Sequence, residues 1–257
     1  MTHLVVDGLK LDYVHTAATA EAEERRAEGA KEALVQTKES EWQFLLQNLH
    51  LTRSDFGFVN QAENPAYRIS LGGIDLQVKN LSNRFRQGAA EFRLEGQFMH
   101  SGDTYATAVF RPVERGADFD LLLAIEGTRV TAMNDLLRAH ARMDVMAGSF
   151  SLYSELQVRG NRIDGYVKPL FKDLDVYDTK QEKGQGLIAK LKEGLVGALS
   201  ALLKNPEEKV ATQFDLSGTI EDPEASTWQI VLELIRNAFF DAILPGFENR
   251  GGEKTSG

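Results

Sequence analysis

"SFSLYSELQV", Ser149–Val158, sets Phe150, Leu152, Leu156 and Val158 along one side of an extended chain. That period of two is the signature of a strand with one buried face. The same reading holds to either side. "FDLLLAI" aligns Phe119, Leu121, Leu123 and Ile125, "EFRLEGQF" aligns Phe92, Leu94 and Phe98, and "GIDLQV" aligns Ile74, Leu76 and Val78. Downstream, "VATQFDLSGTI" aligns Val210, Phe214, Leu216 and Ile220. Glycines recur beside or within these runs, at Gly73, Gly96, Gly127, Gly148, Gly165 and Gly218 among others, as turns, bulges and curvature require. The expectation is a mainly β chain with some α: a curved antiparallel meander over 42–222 whose greasy face forms a groove.

The remaining segments are placed around that sheet. Residues 1–14 read as a first strand, and the Ala/Glu-rich 15–41 as a mobile insert, because so little apolar surface cannot offset the entropy of ordering it. Helical spacing marks short helices near 131–142 and 186–204. A C-terminal capping helix is expected over 223–247, opened by the capping box of Ser226 and Gln229 and stopped by Pro245 and Gly246. Its apolar surface is broad, so Trp228, Phe239 and Phe240 are candidate docking residues. Residues 248–257 read as a flexible tail.

Composition narrows the function. Of 257 residues, 42% are hydrophobic and 26% charged, which are ordinary globular values. A net charge of −9 with no basic stripe argues against nucleic acid as partner. The absence of cysteine removes disulfides, thiolate nucleophiles and cysteine-ligated metals. The first residues lack the basic start and apolar core of a signal peptide, and no apolar run is long enough to span a membrane.

Candidate chemistry falls away on inspection. His3, His15, His50, His100 and His140 show no metal-ligand spacing, and no HExxH or GxSxG occurs. "GQGLIA", Gly184–Ala189, matches GxGxxA but lacks a buried strand before it, so it reads as a turn before a helix. The last candidate is "DGYVKPLFKDLDVYD", Asp164–Asp178, where Asp173 and Asp175 share one side of an extended segment with Phe171 and Tyr177 flanking them. Calcium-loop spacing fails there. Pro169 cannot donate to a ladder and Lys168, Lys172, Asp173 and Asp175 would repel a neighbour, so the segment reads as a guarded edge strand. No catalytic residue, metal or cofactor is expected.

Four stretches also carry a resemblance. "MNDLL" at Met133–Leu137, "GSFSLYSE" at Gly148–Glu155, "GYVKPLFKDLDVYD" at Gly165–Asp178 and "NAFF" at Asn237–Phe240 resemble the C-terminal region of AsmA-like bacterial envelope proteins, in the branch known only as a domain of unknown function. The likeness is strongest over residues 118–248. It implies a periplasm-facing β-groove, anchored in the inner membrane, whose apolar interior holds or conducts lipid acyl chains, with no catalytic residues. The chain departs from the family in lacking the N-terminal membrane helix and much of the preceding β region, which bears on anchoring and localisation rather than on fold.

The function expected is therefore a non-enzymatic envelope module for acyl chains or a membrane interface. Its groove residues are Ile74, Leu76, Val78, Phe92, Leu94, Phe98, Phe119, Leu121, Leu123, Ile125, Phe150, Leu152, Leu156, Phe214 and Leu216. The alternative is a scaffold whose partner is another envelope protein. An enzyme built on Asp173 and Asp175 ranks last.

Overall fold

The computed structural model describes residues 2–18, 45–82, 88–111, 118–141, 144–160, 162–177, 210–211 and 213–219. The insert beyond residue 18, the helices expected over 186–204 and 223–247, the tail expected over 248–257, the GxGxxA match, Trp228, Phe239, Phe240 and the side chain of Phe214 lie outside them.

The described chain is one curved, open, mostly antiparallel sheet of eleven strands. In chain order these are β1 (His3–Asp7), β2 (Lys10–His15), β3 (Leu45–Asn60), β4 (Tyr67–Ser82), β5 (Ala90–Phe98), β6 (Gly102–Phe110), β7 (Phe119–Arg129), β8 (Asp144–Arg159), β9 (Arg162–Tyr177), β10 (Val210–Ala211) and β11 (Phe214–Thr219). From β3 to β9 every strand pairs antiparallel with the next, a meander of long hairpins. Each edge is built of two short strands in series. β1 and β2 lie parallel along successive halves of β3, and β10 and β11 lie antiparallel along β9.

Residues 1–14 are thus two strands rather than one. Gly8, at φ +70, turns the chain between them, and opposite it β3 carries a bulge at Arg53, whose φ is +48. Further register shifts occur on β4–β5 near Gly73, on β7–β8 near Gly127, and on β8–β9 near Gly148 and Asp173. Bulges bend a strand and deepen its twist. These bends curl the sheet and allow one face to bury its side chains.

One short helix packs on that face. A 3-10 turn, Val130–Met133, leads into α1 (Asn134–Ala141). The Asn134 amide donates to the Val145 carbonyl (2.9 Å) and accepts from the Val145 N–H (3.0 Å), pinning the helix to β8. Arg138 reaches Asp135 and Asp144 from the solvent side. Val130, Met133, Leu136 and Leu137 are buried in a cluster with Tyr67, Phe98, Met99, Ile125, Phe150, Leu152, Val167 and Leu174. A second cluster at the other end of the strands joins Ala90, Ala108, Phe110, Phe119, Leu121, Leu156 and Val158. Phe92, Phe110 and Phe119 form a chain of ring contacts there, at 5.0 and 5.5 Å between centroids. Leu216 packs against both clusters and so joins them.

The far end of β6–β8 is closed by charge. Arg111 and Arg159 each pair with both Asp118 and Asp120. Burial pushes the Asp120 carboxyl up, but hydrogen bonds from Arg111, Arg159 and Gln157 together outweigh it and hold the group below the usual carboxylate range.

The segment expected to be a guarded edge is interior. β9 pairs with β8 on one side and with β10 and β11 on the other. Pro169 is buried opposite Leu152, in the interval where β10 has ended opposite Leu170 and β11 has yet to begin opposite Val167. A residue without an N–H is tolerated where the ladder on one side is interrupted.

A continuous apolar face as the candidate functional site

Directly paired residues of adjacent strands point to the same face, so the register can be followed across the whole sheet. One line runs Leu4, Leu49, Val78, Phe92, Ala108, Leu121, Leu156, Gly165, Leu216. The next line on the same face runs Val6, Leu51, Leu76, Leu94, Ala106, Leu123, Ser154, Val167. Nine strands contribute to the first and eight to the second, and Ser154 is the one polar residue in the pair of rows. Eight steps of about 4.8 Å make a path of roughly 38 Å.

Apart from Phe214, whose side chain lies outside the described residues, every expected groove residue falls on this face, and Phe98, Ile125, Leu152 and Phe150 extend it toward α1. Burial divides them. Ile74, Val78, Phe98, Phe119, Leu121, Ile125, Phe150, Leu152 and Leu156 are buried. Leu76, Phe92, Leu94, Leu123 and Leu216 are half-buried, and they mark where the face still meets solvent. Small residues at Ala106, Ala108 and Gly165 keep the middle of the rows shallow. At Gly165 the space a side chain would fill is occupied by Leu156, which approaches the backbone of β9 from β8.

Leu4, Val6, Leu49, Leu51 and Val167 complete the rows but were not among the expected residues. The alternation of "LLQNLHL", Leu45–Leu51, is the signal that marks β3; the bulge at Arg53 then breaks its period.

The opposite face is mainly polar, with Val5 and Leu122 exposed on it. On β4 and β5, Asp75, Gln77, Arg93 and Glu95 line an open depression of about 330 Å³. Its charges are satisfied internally: His50 Nε2 lies 2.9 Å from Asp75, Arg93 bonds Glu95 at 2.7 Å, and the Arg93 guanidinium sits 5.4 Å from the Tyr105 ring centre. Asp173 and Asp175 are exposed on β9. The left-handed Asp173, at φ +52, resets the alternation, so Phe171 and Leu174 turn to the core while both carboxylates face water. Lys172 Nζ lies 3.6 Å from Asp173. Among the described residues no group of three or more histidines and carboxylates is arranged to hold a metal ion, and no helix is long and apolar enough to cross a membrane.

His140, on α1, packs edge-on against Tyr67 with ring centres 5.1 Å apart. Burial holds its imidazole below the ordinary value, opposed by the charge of Glu63, and burial likewise raises the Tyr67 phenol.

Comparison of the chain with protein-family models, with curated proteins and with solved structures gives no match.

Proposed function

We propose that this chain is a non-enzymatic module of the bacterial cell envelope, periplasm-facing and AsmA-like, that shelters lipid acyl chains along the apolar face of its curved sheet. The observation that supports this reading is the pair of adjacent rows from Leu4 to Leu216 and from Val6 to Val167, apolar across nine and eight strands save for Ser154. An apolar surface of that length, mainly polar on its reverse and half-open at Leu76, Leu94, Leu123 and Leu216, suits a flexible hydrocarbon better than a compact polar ligand. Its roughly 38 Å path exceeds the hydrocarbon core of a bilayer, about 30 Å thick, so one chain has room to lie along it.

The test is extraction of lipid from protein purified without detergent, followed by mass spectrometry, for the wild type and for a Leu94→Gln, Leu123→Gln double variant. Both side chains are half-buried, so the variant keeps its fold while placing amides in the path of the chain. Co-purifying acyl lipid that drops several-fold in the variant is the expected result. Wild-type protein that carries no lipid and takes up no fluorescent fatty acid refutes the reading. A scaffold that grips another envelope protein is the second reading, supported by exposed Leu9, Leu11, Tyr13 and Val14 on one edge of the sheet.

A further inference from the structure

Six of the eight large apolar side chains exposed on the described residues, Leu4, Val5, Leu9, Leu11, Tyr13 and Val14, belong to β1, β2 and the turn between them. That edge also has unused backbone. The Asn48 N–H donates to the Thr2 carbonyl and the Gly8 N–H to the Thr52 carbonyl, so in this parallel ladder the even-numbered residues of β1 bond to β3. The N–H and C=O groups of His3, Val5 and Asp7 therefore point outward. Among the described residues nothing pairs with them.

The sequence at this edge is its own complement. An antiparallel copy centred on Val5 pairs Val5 with Val5, His3 with Asp7, and Leu4 with Val6. The outward-pointing residues are the ones such a copy brings into hydrogen-bonded register, giving about six bonds from three pairs. His3 and Asp7 lie on the polar face together with Thr52, whose hydroxyl bonds one Asp7 oxygen at 2.7 Å, and with Arg53, whose guanidinium pairs with the other; the carboxylate still has lone pairs for an imidazole N–H. Leu4 and Val6 lie on the apolar face, at the ends of the two rows. Pairing Leu4 with Val6 carries each row into the other row of the second copy.

We infer that this chain forms a two-fold antiparallel dimer through the outer edge of β1, joining the two sheets into one with a continuous apolar face. A ladder this short makes a weak dimer that depends on concentration. Val5→Pro removes an outward donor without touching a bond to β3, because proline lacks only the N–H that β3 does not use. Val14, outward on β2, lies nine residues away and outside the paired segment, so Val14→Pro is the control.

Sedimentation velocity from micromolar to millimolar protein is expected to show a monomer–dimer equilibrium for the wild type and Val14→Pro, and monomer alone for Val5→Pro with its far-UV circular dichroism unchanged. The native chain has no cysteine, so Val5→Cys adds a unique thiol. The two-fold sets these Cα atoms about 5.5 Å apart, within disulfide range, and mild oxidation should link Val5→Cys but leave Val14→Cys unlinked. A wild type that stays monomeric throughout, a dimer that survives Val5→Pro, or equal linking of the two cysteine variants overturns the inference. In those cases the edge is covered by something other than a second copy, or lies free.

Discussion

Gly165→Ala is a one-methyl perturbation at the place where the two core clusters meet. Leu156 and Leu216 flank Gly165 on the apolar face, one from each neighbouring strand, and close over its bare backbone. A methyl built there comes within 2.9 Å of the Leu156 Cα and closer still to the Glu155 carbonyl oxygen, both backbone atoms that no rotamer change can move. Strands β8 and β9 must part, and overpacking of that kind costs about 1–3 kcal/mol. The matched control is Gly218→Ala on β11. Among the described residues nothing lies within 4 Å of its added methyl and its φ is not left-handed, so alanine should stabilise by roughly 0.4–1 kcal/mol through loss of unfolded-state freedom. The pair should move in opposite directions. For a chain of this size about 2 kcal/mol is worth roughly 4–8 °C, so thermal unfolding followed by circular dichroism should place Gly165→Ala several degrees below the wild type and Gly218→Ala at or slightly above it. A Gly165→Ala protein that melts with the wild type would falsify the packing argument, since it would mean that β8 and β9 are not held at the separation that excludes a side chain.

Two other substitutions test the core and its titration. The Thr128 hydroxyl is fully buried with no hydrogen-bond partner among the described residues, so Thr128→Val, which keeps the shape and removes the unpaired group, should raise the urea midpoint by the equivalent of about 1 kcal/mol; a lowered midpoint would show that the hydroxyl is satisfied after all. His140 has a folded-state pKa below its ordinary value, so the unfolded chain takes up a proton first as pH falls. Stability contributed by the neutral ring is complete above the ordinary imidazole value and is lost as pH drops through that value toward the depressed one. His140→Phe, which preserves the ring contact with Tyr67, should therefore show a smaller loss of urea midpoint between pH 7.5 and 5.5 than the wild type, and an equal loss would rule out His140 as a source of the slope.

Period-two alternation made β5, β7 and β8 legible because those strands run regularly through the residues that carry their apolar side chains. The candidate face was legible for the same reason: facing residues such as Phe92 and Leu121 belong to strands whose neighbours are also their neighbours in sequence. What escaped was set by long-range pairing. Pro169 and its charged neighbours look like an edge locally, and the strands that cover β9 come some forty residues later. The first strand reads as continuous because nothing local to Gly8 shows that β3 bulges opposite it. Strict alternation sets Asp173 and Asp175 beside Phe171 because it assumes an extended chain, which the left-handed Asp173 is not.

The meander from β3 to β9 has a consequence for growth. From β4 to β8 each strand pairs only with its two sequence neighbours, so the middle of the sheet is close to one-dimensional, and its stability is nearly a sum over adjacent pairs. Adding or deleting one hairpin leaves chain direction, facing and register of every other strand unchanged, while it alters the apolar path by two strand spacings, about 10 Å. Reach can be adjusted in such steps without redesigning the interior, a freedom that a closed barrel, whose strand number, tilt and stagger are locked together, does not have.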